Sequence, residues 1–119
     1  MARHIIIHIE FPVTDRGTAE QFYGQLFGWQ FTHYPDQAYS TFDTGAVSGA
    51  LNLLEDALTR PGQPLIYVSS QDVESDLQRA EALGGEIVVP KTPIPGVGWY
   101  GVFADPEGNR IGLLSIPGR

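Results

Sequence analysis

Cysteine is absent from the 119 residues. Disulfides, thiolate metal sites and thiol nucleophiles are therefore excluded. Basic residues are scarce: seven Lys and Arg stand against fourteen Asp and Glu, giving a formal net charge of −7. With no basic stripe to neutralise phosphates, no nucleic-acid partner is expected, and the acidity is read as a device for solubility. No apolar run approaches the roughly 20 residues that a membrane span needs. The apolar stretch Ile5-Ile6-Ile7 is interrupted by His8 and has no small-residue cleavage site after it, so neither membrane nor export is expected and the cytoplasm is the expected location. What is present suits one folded domain: 42% hydrophobic and 11% aromatic residues are enough to build a core.

The segment His4 to Phe11 alternates, with Ile5, Ile7, Ile9 and Phe11 on one parity and His4, Ile6, His8 and Glu10 on the other. A strand sends alternate side chains to opposite faces, so one face is expected to meet a hydrophobic layer while the other stays mixed and polar. Asp15 is placed to cap a helix. Ala19, Phe22, Tyr23, Leu26 and Phe27 recur at helical spacing as one apolar stripe, and Gly28 supplies a left-handed terminus. Three strand-like runs follow, at Trp29 to Tyr34, Tyr39 to Thr44 and Gly49 to Leu54. Residues 55–64, with Arg60-Pro61-Gly62-Gln63-Pro64, read as a linker.

The order then repeats. Leu65 to Ser69 is strand-like, and Asp72 caps a helix that buries Val73, Leu77 and Ala80 and stops at Gly84-Gly85. Glu86 to Val89, Trp99 to Ala104 and Asn109 to Ser115 close the second copy. The copies register on each other: seven residues separate His8 from Asp15 and Leu65 from Asp72, and thirteen separate Asp15 from Gly28 and Asp72 from Gly85. His8 thus matches Leu65, and Glu10 matches Tyr67. The expected fold is α+β, built from two tandem βαβββ modules (4–54 and 65–117) in one domain. The extra strands in each copy argue against a ferredoxin-like domain.

HIEFPVTDRGTAEQFYGQLFGWQF, His8 to Phe31, and DPEGNRIGLLS, Asp105 to Ser115, resemble the opening strand and helix and the closing hairpin of the vicinal oxygen chelate superfamily, which includes glyoxalases, bleomycin-resistance proteins and extradiol dioxygenases. The KTPIPGVGWY segment, Lys91 to Tyr100, is similar to that of its glyoxalase-like members. The resemblance implies a cupped, barrel-like mixed sheet with helices outside, a cleft between paired modules, and a homodimer. It also implies a divalent metal that chelates two neighbouring substrate oxygens and acts as a Lewis acid. Only part of the ligand set carries over. His8 stands at the first-strand ligand position and Leu65 at its counterpart. Gly112 stands where the last-strand carboxylate belongs, and in the first module Asn52 is the only polar residue near the corresponding place, Leu51 to Leu53. His8 and Glu10 are thus the metal-ligand candidates, in a site that is otherwise degenerate.

His8, Glu10, Asn52, Leu65, Tyr67 and Tyr100 are the expected ligand-binding residues. Leu65 and Tyr67 make their half of the cleft apolar, which suits an organic molecule with a few polar handles. The expected function is a glyoxalase-like small-molecule-binding protein, whether sequestering a toxic compound or an antibiotic or running a metal-free reaction. The alternatives are a metal-dependent lyase, isomerase or dioxygenase using His8 and Glu10 with replacement ligands, and an interaction module with an empty cleft. His4 reads as a solvated strand residue and His33 as surface-exposed at a strand end, and no Ser lies in a nucleophile-elbow pattern. Asp105-Pro106-Glu107-Gly108 reads as a type I turn. Pro93 to Gly98 reads as a stiff-then-flexible loop, either a rim over the ligand or a plain connection. Trp99 and Tyr100 face opposite sides, one of them lining the cleft.

Overall fold

The structure, a computed structural model, describes residues 4–54 and 57–117. Glu55 and Asp56 of the expected linker lie outside the described residues. Ten elements follow in the order β1 (Ile6–Val13), α1 (Arg16–Phe27), β2 (Gln30–His33), β3 (Tyr39–Asp43), β4 (Ser48–Leu53), β5 (Leu65–Ser69), α2 (Val73–Ala82), β6 (Glu86–Ile94), β7 (Gly98–Ala104) and β8 (Arg110–Ser115). The fold is α+β, and βαβββ occurs twice. The described chain divides into two compact units, 8–65 and 66–117 together with 4–7. The first residues join the second unit because Ile5 N–H donates to Ser69 Oγ at 3.2 Å, Ser69 N–H donates to Ile5 O at 2.8 Å, and the His4 ring meets Asp76 at 2.9 Å.

In the first unit the strands run β2-β3-β4-β1, with β1 and β4 parallel and the other pairs antiparallel. Asp15 caps α1 through its carboxylate, which accepts from Thr18 N–H at 3.1 Å, and Gly28 ends it at φ 75°. The expected stripe on α1 is only partly a core stripe. Tyr23 stacks on Phe11 at 5.6 Å and on Trp29 at 5.4 Å, and Trp29 stacks on Phe42 at 4.9 Å. Phe22 and Leu26, by contrast, are 57% and 59% exposed, as is much of Phe27. The helix is anchored instead by a buried cation. Arg16 donates to the carbonyls of Tyr34 and Tyr39 and to Ser40 Oγ. Ser40 Oγ in turn donates to Glu20, which also holds the His33 ring at 2.8 Å. His33 ends β2 and is exposed, as expected, with its ring held by Glu20. His4 is exposed as expected too, but it precedes β1 and its ring pairs with Asp76.

In the second unit the order is β5-β8-β7-β6, with β5 and β8 parallel. Asp72 caps α2 through Ser75 N–H at 3.0 Å. Val73 and Leu77 are buried with Leu113 and pack against Val68, Ile87 and Phe103. Gly101 lies under this helix: a Cβ there would come within 3.0 Å of both Leu77 and Val73. β6 runs past the expected Val89, through Pro90 and Pro93, to Ile94, and what remains of the expected loop is a short connection between strands, closed by Val97 N–H donating to Ile94 O at 2.9 Å. The strand tolerates its prolines because β6 is the last strand of this order and its register shifts between Val89 and Thr92. The Asp105 turn forms as expected, with Gly108 N–H donating to Asp105 O at 2.9 Å.

Candidate functional site

Each module has one sheet face free of its helix, and strand parity decides which residues reach it. In the first module Phe11 points to α1, where it meets Tyr23. His8, Glu10 and Pro12, of the other parity, therefore take the helix-free face, together with their parallel partners Ser48, Ala50 and Asn52. The His8 ring meets Ser48 Oγ through Nδ1 at 3.2 Å, while its Nε2 stands 3.7 Å from Glu10 Oε2. Both side chains are about one-fifth exposed. At 3.7 Å the two groups form a close ion-pair contact rather than a hydrogen bond, on one face of β1. Ser48, which fixes the far side of the ring, carries no signal in the sequence. It becomes visible only through the β1–β4 register, forty residues away.

In the second module Val68 and Leu113 pack on α2, so Tyr67 and Gly112, paired across β5 and β8, face the helix-free side. Leu65 shares that parity and is 1% exposed. Tyr100 pairs with Leu114, which pairs with Ser69, and so takes the same side. Trp99 takes the opposite face, where Lys91 Nζ sits 4.4 Å above its ring. The six residues read from the sequence are therefore all on helix-free faces: His8, Glu10 and Asn52 in one module, Leu65, Tyr67 and Tyr100 in the other.

The two registers can be superposed. Glu10 pairs with Ala50 as Tyr67 pairs with Gly112, so the first-module counterpart of Gly112 is Ala50. Asn52 lies one pair further along the same face, opposite Pro12 and Tyr39. Ala50 has no donor atom. Gly112 has no side chain and is covered: a Cβ there would lie 2.5 Å from Tyr67 Cε2 and 2.9 Å from Cγ. Tyr67, 5% exposed, thus occupies the space in which a side chain at position 112 would stand. Among the described residues no three His, Cys, Asp or Glu side chains are grouped to hold a metal ion. His8 and Glu10 supply two donors, short of the four or more that zinc or an octahedral ion takes.

Two carboxylates outside this face have lowered pKa values. For Glu20, burial acts to raise it, but hydrogen bonds from Ser40 and His33 and the charges of His33 and Arg16 outweigh that. For the exposed Asp105, the Asn109 side chain, the Asn109 backbone and the Glu107 and Gly108 N–H groups favour the charged form. Both groups hold local structure. Among the described residues no helix is long and apolar enough to cross a membrane.

The chain is 29% identical over 116 aligned residues to the anthracycline biosynthesis protein DnrV of Streptomyces peucetius, covering 83% of this chain and 42% of that protein. It is 25% identical over 112 to the putative glyoxylase CFP32 of Mycobacterium tuberculosis, covering 88% of this chain and 43% of that one. The chain therefore spans less than half the length of these curated relatives. Among solved structures, methylmalonyl-CoA epimerase from Mycobacterium tuberculosis shares the fold with a TM-score of 0.71 at 17% identity, covering 98% of this chain and 92% of that one. The hypothetical protein BH1468 from Bacillus halodurans does so with a TM-score of 0.74 at 14% identity, covering 99% and 98%. The sequence model of one family matches residues 5–113, and the chain belongs to that family, the Glyoxalase/Bleomycin resistance protein/Dioxygenase superfamily.

Proposed function

We propose that this protein binds a small organic molecule on the helix-free faces of its modules and that the family's metal site is degenerate in it. The observation that carries this reading is the pairing of Tyr67 with Gly112. An aromatic ring fills the place of a metal-binding side chain, beside the aliphatic Leu65 at the counterpart of His8. Leu65, Tyr67 and Tyr100 supply apolar and aromatic surface, while His8, Glu10 and Asn52 supply the polar handles. Each face is a candidate surface by itself: the His8–Glu10 face offers hydrogen-bonding groups to a bound molecule, and the Tyr67 and Tyr100 face offers aromatic surface. The test is metal analysis of the purified protein joined to a thermal-shift screen of small molecules, since a ligand raises the melting temperature by mass action. Stoichiometric, tightly held metal that is lost in His8→Ala would overturn the reading.

The second reading is a metal-dependent lyase, isomerase or dioxygenase in which His8 and Glu10 ligate together with replacement donors. The 3.7 Å approach of His8 Nε2 to Glu10 Oε2 favours it. The same metal analysis decides between the two. We also propose a homodimer, supported by the exposed Phe22, Leu26 and Phe27 on α1. Light scattering at two concentrations tests it.

A further inference from the structure

The second unit holds a pocket beside α2, on the face opposite to Tyr67. Its volume is about 390 Å³, toward the lower end of the roughly 300–1,000 Å³ range of small-molecule sites. Phe103, Ile111 and Leu113 from the sheet and Leu83 from α2 give it apolar walls. Leu83 is 75% exposed, so an apolar occupant gains by covering it. His4, Asp76, Arg79 and Asp105 also line the pocket. With His4 neutral, two carboxylates stand against one guanidinium, and the net charge is negative. The charges also differ in position. The Asp76 side chain is 20% exposed, whereas Arg79 is exposed. Solvent and salt screen an exposed charge more than a half-buried one, which leaves the negative sign dominant inside the cavity.

Both acids keep accepting capacity. Asp76 takes the His4 ring at 2.9 Å and the Ser70 hydroxyl at 2.6 Å on one oxygen, Oδ2. Asp105 takes the Glu107 and Asn109 N–H groups at 2.9 Å on Oδ1, while its Oδ2 meets Asn109 Nδ2 at 3.1 Å. A carboxylate oxygen accepts about two hydrogen bonds, so Asp76 Oδ1 and part of Asp105 Oδ2 are left for a ligand's N–H groups. An apolar cavity of net negative charge, with carboxylate acceptors to spare, is complementary to an apolar body carrying one ammonium group. We infer that this pocket is a binding site for a small apolar amine, separate from the helix-free faces. The ammonium meets the Asp76 carboxylate within the field of Asp105, and the hydrocarbon part lies against Phe103, Ile111 and Leu113.

The test uses three probes that share a phenyl ring and a short chain: phenethylammonium, the uncharged phenethyl alcohol and the anionic hydrocinnamate. Binding is read from amide shifts in NMR titrations. The ammonium is expected to shift Ala80, Leu83, Phe103 and Ile111 and to bind about fivefold tighter than the alcohol, the upper end for a partly exposed ion pair. Hydrocinnamate is expected to bind weakest. Asp76→Asn, which keeps the side-chain shape but removes the charge, is expected to abolish the preference for the ammonium and to leave the alcohol within twofold. Arg79→Gln retains a good helix former at an exposed position and removes the opposing charge, so it is expected to tighten the ammonium about twofold. That variant keeps the test decisive if Asp76→Asn fails to fold. Equal affinity for ammonium and alcohol would overturn the inference. So would an Arg79→Gln protein that binds the ammonium no more tightly, or shifts that fall on His8 or Tyr67 instead of the pocket.

Discussion

Gly112→Ala tests the packing on which the functional reading depends. The added Cβ would sit 2.5 Å from Tyr67 Cε2 and 2.9 Å from Cγ, about 0.6–1.5 Å inside ordinary carbon–carbon contact of about 3.5–4.0 Å. Tyr67 is 5% exposed and has little room to retreat, so the ring must leave its rotamer or the β5–β8 pair must part. Overpacking of this kind costs about 3 kcal/mol, the upper end of the usual range. In a chain of this size that corresponds to a melting temperature lower by roughly 10 °C. Two effects oppose each other in the substitution, because alanine in a strand interior is otherwise favoured over glycine by about 0.5–1 kcal/mol. The collision is the larger. Urea denaturation of the four proteins in a double-mutant cycle isolates it. Against a Tyr67→Ala background, which is itself strongly destabilised, Gly112→Ala is expected to be neutral or slightly stabilising, giving a coupling energy of about 3 kcal/mol. If Gly112→Ala costs the same in both backgrounds, Tyr67 does not occupy the space at position 112 and the argument for a filled metal position fails.

Arg16→Met is expected to destabilise the fold by about 3 kcal/mol in urea titration, because it leaves the carbonyls of Tyr34 and Tyr39 and the hydroxyl of Ser40 without their shared donor. The lowered pKa of Glu20 sets a pH signature. A depressed folded-state value contributes stability that is complete above the ordinary 4.5 and is lost as pH falls through the folded value. Glu20→Gln should therefore cost most at neutral pH, with the difference from wild type shrinking on acidification below about pH 4.5. A difference that grows in acid would refute the assigned direction. Asp72→Ala, which removes the acceptor for Ser75 N–H, is expected to cost about 1 kcal/mol, measured by thermal melts. For Asp105, Asn109→Ala should raise the carboxyl pKa toward its ordinary 3.8, read by NMR titration.

The parts of this fold that were legible in the sequence are those governed by neighbours within one turn or one strand. Asp15 and Asp72 each cap through the N–H three residues on, and the Asp105 turn closes within four residues. Such signals are local and unambiguous. Parity also carried through, since alternation in β1 and β5 put His8, Glu10 and Tyr67 on helix-free faces. Where reading failed, the deciding contact was distant. The stripe on α1 includes Phe22 and Leu26, yet the helix is held by Arg16, whose partners lie 18 to 24 residues away. An arginine at the start of a helix looks like surface until a hairpin folds over it. Pro93 to Gly98 looked like a loop because prolines remove ladder donors, a rule that weakens at the last strand of a sheet with a shifted register.

Gly112 is the sharpest case. In the sequence it is only an absence, a place where a carboxylate belongs and none stands, and an absence is compatible with loss, with substitution from elsewhere, or with drift. Pairing with Tyr67 changes what kind of evidence it is. A glycine under a buried ring is selected by volume, because any side chain would collide, and the ring is accommodated only because the glycine is there. The two residues are separated by 45 positions and belong to different strands, so neither announces the other. Their joint presence supports the proposed reading by a packing requirement: a side chain at position 112 would meet the Tyr67 ring. It also implies that a carboxylate could not be restored at position 112 alone, since Gly112→Glu would meet the same ring before it could reach a metal.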